Sequence, residues 1–274
     1  MSERVSRKQL EEMESSLSAR DKNILITIQV YRYLTTSQIQ RLHVIDAASP
    51  SAALRITSRN LKKLKELHLI DTLARRIGGV YSGSGSFVWH LDDAGEHFLR
   101  LVDNKARLHK ASFEPSTYFL THTLSVSECY VRLTEVCRKK GMHLTETQNE
   151  PYCWRPYNSA GKIISLKPDL FAITRCDSYE DRWFFEIDLA TESPIKVIEK
   201  CHRYHKYYQS GLEQEQYKVF PLVVWIVPDG ARKSSIELRI KEEFSKQPNI
   251  FVVITPDELE TMVRMGAGDA EGGH

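Results

Sequence analysis

The segment from Lys167 to Tyr208 constrains this chain more than any other. It runs KPDLFAI, then a polar stretch, then WFFEIDLATESPIKVIEKCHRYHKYY. Short apolar runs rich in Ile, Phe and Trp and bounded by polar residues predict strands over Leu170–Thr174 and Trp183–Leu189, with Ile163–Leu166 just before them. Asp169 stands at the edge of one run, and Glu186 with Asp188 at the end of the next. Ser193-Pro194 predicts an N-cap followed by proline at the first helical position, opening a helix that runs to Gly211. VFPLVVWIVP is apolar at every position and predicts a central strand buried on both faces. A helix over Lys233–Lys246, a strand IFVVI and a last helix from Asp257 complete the order. Strand–helix–strand–helix–strand predicts a parallel section of sheet with right-handed crossovers. Ligands in such sheets sit at strand ends, where Asp169 and Glu186 fall.

The front half follows a different pattern. Ile24, Leu25, Ile28 and Tyr31 recur at helical spacing within Ala19–Tyr33. Thr36 predicts the cap of a short helix, Ser37–His43, with Ile39 and Leu42 inward. A third helix is expected over Ser51–Leu67, with Leu54, Leu61, Leu64 and Leu67 buried. LIDTLARRI and FVWHL predict two strands, with YSGSGS as the loop between them, and Asp92 caps a fourth helix. Three helices followed by a two-stranded hairpin is the winged helix-turn-helix order, whose third helix reads DNA. That helix carries Arg55, Arg59, Lys62, Lys63 and Lys65, and Arg75 and Arg76 lead into the wing. Solvated lysines on a protein-interaction module are the alternative for this basic face.

The predicted class is therefore α/β: a winged helix-turn-helix domain, then an α/β core domain. The boundaries drawn are a flexible segment 1–18, a winged helix 19–104, a linker 105–115, an α/β core 116–264 and a disordered tail 265–274. The long core helix TYFLTHTLSVSECYVRLTEVCRKK stops at Gly141 after three basic residues. NEPYCWRPYNSAG is expected to be irregular.

Charge supports the division. Residues 1–110 hold 18 Lys+Arg and 12 Asp+Glu, whereas the remainder holds 20 and 24, so a basic front half precedes an acidic back half. The first suits phosphate contact and the second a cation site. No apolar run is long enough to span a membrane, and the N-terminus lacks the apolar core of a signal peptide. The five cysteines form no CxxC pair, which argues against a disulfide scaffold and fits a reducing cytoplasm.

Paired acids at a sheet edge bind a hard cation through oxygen, and a neighbouring cation can meet a phosphate. Glu186 lies seventeen residues beyond Asp169, and the run Glu186-Ile187-Asp188 gives the spacing PD…ExD. This is close to the PD-(D/E)xK pattern, in which two carboxylates hold magnesium and a lysine touches the phosphate or water. Asp169 and Glu186 fit the carboxylates, and the Ile187 carbonyl is a further candidate ligand. Asp188 stands where the lysine belongs. Lys200 on the following helix is the replacement, with Arg203 beside it and Lys196 one turn earlier. The bland readings are a turn-forming acid after Pro168 and a strand edge paired with basic helix residues. Tyr204, Tyr207 and Tyr208 include a candidate nucleophile, against the alternative that their rings pack the helix on the sheet. His202 and His205 lack the second pair that a zinc site needs.

PDLFAI, WFFEIDLATES, the helix with Lys200, Tyr204 and Tyr208, and the upstream FLTHTLSVSECYVRL together resemble the replication–relaxation family over roughly residues 20–260. The resemblance implies a plasmid or mobile-element protein with a winged helix and a restriction-endonuclease-like α/β domain of the PD-(D/E)xK type, some members being similar to relaxases that nick plasmid DNA. It implies Mg2+ or Mn2+ held by Asp169 and Glu186, Asp188 at the ExD position, and Lys200 in place of the missing lysine. Glu192 and His122 match family positions, and Glu128 lies where related nucleases place an acid. The implied partners are double-stranded DNA at a plasmid origin and relaxosome or replication proteins. The competing expectation is a non-catalytic DNA-binding accessory factor or regulator whose degenerate nuclease core serves to form a homodimer.

Overall fold

The computed structural model of the chain describes residues 13–74, 77–79, 82–102, 115–159, 161–177 and 179–270. The chain forms two compact units, Met1–Val131 and Arg132–His274. The division falls inside a long helix rather than in the 105–115 linker, of which only residue 115 is among the described residues.

In the first unit, Ser18 and Asp21 form a capping box on α1 (Ala19–Tyr31). Thr35 and Gln38 do the same for α2 (Thr36–His43), one residue earlier than the cap expected at Thr36. Ser49 caps α3 (Pro50–Glu66), which begins at a proline whose missing N–H costs nothing there. Strand β1 (Leu34–Thr35) pairs with β5 (Val88–Leu91), which pairs with β2 (Ile70–Thr72), all antiparallel. Between β2 and β5, β3 (Ile77–Gly79) and β4 (Ser82–Ser86) form a separate hairpin, so YSGSGS is not wholly the loop expected. Backbone ladders need no apolar side chain, and the alternation of Ser and Gly hid this strand. α4 (Asp93–Val102) follows at once.

Ile24, Leu25, Ile28, Leu34, Ile39, Leu61, Leu64 and Phe98 make the core of this unit. Leu54 departs from expectation and is half exposed. The buried stripe of α3 is Ala53, Thr57, Leu61 and Leu64, so its first two inward positions are small residues.

α5 (Thr117–Lys140) spans the division and ends at Gly141, whose φ of +68° suits glycine. The second unit is built on a mixed five-stranded sheet in the order β12-β11-β10-β9-β6. β6 (His143–Asn149), β9 (Leu170–Cys176) and β10 (Tyr179–Ile187) are antiparallel neighbours. β10, β11 (Leu222–Ile226) and β12 (Phe251–Ile254) are parallel. α6 (Pro194–Gln209), α7 (Leu212–Tyr217) and α8 (Gly230–Phe244) provide the connections between those three. β11 is buried along its whole length, as a doubly covered parallel strand must be.

Two expectations are corrected here. Part of the segment taken as irregular forms β7 (Arg155–Ser159), paired with β8 (Lys162–Leu166). Asn158 and Gly161 make the turn, with Gly161 N–H donating to Asn158 Oδ1 at 3.0 Å. The tail expected to be disordered from residue 265 carries α9 (Leu259–Met265) to its end and then α10 (Ala267–Ala270). Ala267 N–H donates to Asp181 Oδ1 at 2.9 Å, a tie that no apolar periodicity announces. Residues 271–274 lie outside the described residues. Among the described residues no helix is long and apolar enough to cross a membrane.

Gly95 on α4 packs directly against the backbone of Leu69. A Cβ there would lie 2.0 Å from the Leu69 carbonyl oxygen. Gly95→Ala must force α4 away from β2, and a destabilisation of about 2 kcal/mol is expected in urea unfolding.

Candidate functional site

Asp169 follows Pro168 and directly precedes β9, and its N–H donates to Phe185 O at 3.2 Å. Glu186 is the penultimate residue of β10, level with Trp225 of β11. Both carboxyl groups are buried, with Asp169 5% and Glu186 1% exposed. Buried acids need partners for every oxygen. Ile187 N–H donates to Asp169 Oδ2 at 2.7 Å. Tyr204 O–H donates to Glu186 Oε1. Lys200 Nζ donates to Glu186 Oε2 and lies 3.7 Å from Asp169 Oδ1. Lys200 and Tyr204 are one turn apart on α6, so a single helix face supplies both donors.

The electrostatics follow from the burial. Burial pushes the Glu186 carboxyl up to about 8, with Asp169 adding to the rise and Lys200 opposing it. Burial alone would lower Lys200, but Glu186 and Asp169 outweigh it and hold the ammonium charged. Burial, then the Glu186 charge, raises Tyr204 well above the ordinary phenol range.

One oxygen from each carboxylate thus meets a single cationic point, while the other two oxygens are held by neutral donors. This donor set fits a hard divalent ion that draws on two carboxylates and keeps several waters, as magnesium does. Among the described residues no group of three or more His, Cys, Asp or Glu could hold a metal. A divalent ion here would therefore rest on Asp169 and Glu186 alone among side chains.

Asp188 is not brought to Lys200. Arg232 of α8 grips it with Nε at 2.6 Å from Oδ2 and Nη2 at 3.1 Å from Oδ1. Arg232 Nη2 also donates to Glu192 O at 2.9 Å, which ties down the β10–α6 connection. Sequence reasoning missed Arg232, although its place three residues beyond the Asp229 cap of α8 puts it at the end of the central strand. Ser193 takes the N-cap conformation of α6 without a side-chain cap bond. Arg203 is exposed on α6, and its charge acts on Tyr157. Tyr207 O–H donates to Glu213 at 2.8 Å. His202 pairs with Glu243 at 3.1 Å, and His205 is buried against Phe244.

The remaining candidates belong to the first unit. His122 is half-buried on α5 with its ring stacked on Tyr118. Glu128 pairs with Arg41 at 2.7 Å. Arg55, Arg59 and Lys62 are exposed along α3, with Lys62 3.7 Å from Glu66. Lys63 turns inward to the buried Asp21 at 2.9 Å, and Lys65 pairs with Asp71 at 2.7 Å. Arg75 and Arg76 lie outside the described residues.

Removing Arg232 leaves the Asp188 carboxylate buried without its counterion. Arg232→Ala is expected to cost about 3 kcal/mol in urea unfolding, with the double variant Asp188→Leu/Arg232→Met recovering most of it.

No curated protein matches the chain. Among solved structures, the restriction endonuclease FokI bound to DNA aligns with 14% identity over 96% of this chain and 46% of that one, at a TM-score of 0.26. The chain spans less than half of that protein, and a likeness this low carries no argument about fold. A family model described as replication-relaxation matches residues 25–223, well over half of the 274 residues. The chain belongs to the replication-relaxation family.

Proposed function

We propose that the chain is a metal-dependent DNA nickase acting in the mobilisation or replication of a plasmid or other mobile element. The observation that carries this reading is the convergence of Asp169, Glu186 and Lys200 on one point at the strand ends. Asp169 and Glu186 would hold Mg2+ or Mn2+, which when bound polarises a phosphate and lowers the pKa of water. Ile187 N–H and Tyr204 O–H fix the two carboxylates so that one oxygen of each stays on the reactive side. Lys200, held charged, stabilises the extra negative charge of the transition state. The full burial of Tyr204 and its bond to Glu186 favour water over this tyrosine as nucleophile.

In the same reading the second unit is a restriction-endonuclease-like domain and the first is a winged helix bound to double-stranded DNA. Its support is the helix order α1–α3, the antiparallel pairing of β2 with β5, and the basic stripe Arg55, Arg59 and Lys62 at helical spacing on α3. Lys63, committed to Asp21, is not part of that stripe.

One observation favours a second reading, a DNA-binding factor without catalysis. Lys200 already satisfies both carboxylates as their counterion, and Arg232 closes off Asp188. Supercoiled plasmid from the host element, incubated with magnesium or manganese and with partner proteins of that element, separates the two. Open-circle product from the wild type but not from Asp169→Ala or Glu186→Ala is expected. Intact plasmid beside a clear binding shift would establish the non-catalytic factor.

Because burial raises Glu186 to about 8, a proton competes with the metal for the site. Manganese affinity, measured by calorimetry, should rise as pH increases toward 8 and level off above it. Proton release on binding should fall as the pH rises. Arg55→Ala/Arg59→Ala should weaken DNA binding and reduce the salt slope by about two, with little change in stability.

A further inference from the structure

The cations of α3 fall into two groups. Lys62 lies 3.7 Å from Glu66, Lys63 2.9 Å from Asp21 and Lys65 2.7 Å from Asp71. Arg55 and Arg59 have no acidic partner among the described residues, and the helix holds no Asp or Glu from Pro50 to Lys65. The uncompensated charge therefore sits in the N-terminal part of α3. That is the end at which a reading helix brings side chains to base edges.

Leu54 stands in the same part of the helix and is 51% exposed. The inward stripe runs through Ala53 and Thr57, so Leu54 takes no place in the core. Its helical neighbours at three and four residues are Ser51 and Ser58, both exposed and both short. A leucine between two serines projects beyond them. Residues 54 and 59 point about 140° apart on a helix, so Arg59 can hold a phosphate wall of the groove while Leu54 faces the bases.

Phosphates draw such a helix in by charge but carry no sequence information. Leu54 has no hydrogen-bonding group and cannot read donors or acceptors. The major groove offers one apolar group that marks a base, the 5-methyl of thymine. We propose that Leu54 is a specificity-determining residue that packs on the 5-methyl group of one thymine in the major groove. This rests on the reading of the first unit as a winged helix bound to double-stranded DNA, and it adds a base identity to the phosphate contacts of the arginines.

Deoxyuridine tests it, because it pairs as thymidine does and lacks only that methyl group. A random duplex pool is enriched on the full wild-type chain in buffer without divalent metal, so that no cleavage intervenes. Each thymine of the enriched site is then replaced in turn by deoxyuridine. At one position the replacement should weaken binding about fourfold, the worth of one buried methyl. Leu54→Ala, a change at a half-exposed position, should reduce that difference below about twofold. The wild-type difference should persist between about 50 and 200 mM salt, since an apolar contact releases no counterions. The proposal alone is overturned if the chain binds DNA but no replacement weakens it, or if Leu54→Ala keeps the full deoxyuridine effect. A dimer that Leu54→Ala dissociates would assign the leucine to a second copy of the chain and overturn it too. Absence of any DNA binding would overturn the winged-helix reading along with it.

Discussion

Two carboxylates buried side by side at adjacent strand ends are the constraint around which the second unit is arranged. Neither Asp169 nor Glu186 could be removed from water as a charged group without compensation, and the Asp169 charge makes Glu186 harder to ionise. The sheet and α6 supply that compensation together. The backbone N–H of Ile187 serves Asp169, the phenol of Tyr204 serves Glu186, and the Lys200 ammonium bridges the two. A structure content merely to bury apolar surface would have no need of this arrangement. Its place at the ends of the strands, where open sheets bind ligands, is the geometry on which the proposed function rests.

The same constraint explains the neighbouring ion pair. Asp188 lies just beyond β10, at the start of the connection that delivers α6. Its grip by Arg232, which also holds the Glu192 carbonyl, fixes the path from β10 into α6 and with it the approach of Lys200. Trp225 of β11, level with Glu186, lies near the lysine, with Nζ 5.9 Å from the ring centre. Parallel strands β10 and β11 and the helices α6 and α8 thus converge on a site whose side chains come from the residue before β9, from β10 and from α6.

Much of this was legible from residue patterns because local physics leaves local marks. The proline opening α6, the glycine ending α5 and the unbroken apolar run of β11 each announce themselves within a few residues. The pairing of Asp169, Glu186 and Lys200 was also foreseeable, since strand ends and the first turns of the next helix are forced together by a short connection. The misses have physical reasons of their own. β4 is made of Ser and Gly, so its pairing has no side-chain signature. Leu54 looked like a core residue because the helix phase was set by leucines, when Ala53 and Thr57 set it. Lys63 looked like part of a basic face, but Asp21, forty-two residues earlier, turned it inward.

What the sequence determined by itself is the succession of the apolar elements and the position of each acid relative to its strand, because hydrophobic period, capping and turn chemistry act over distances of a few residues. What only the tertiary structure decided is which cation each carboxylate receives. Lys200 goes to Asp169 and Glu186, whereas Asp188 goes to Arg232, forty-four residues away on a helix reached through another strand. Charge pairing is settled by burial and distance in three dimensions, and neither is written into the spacing of residues along the chain.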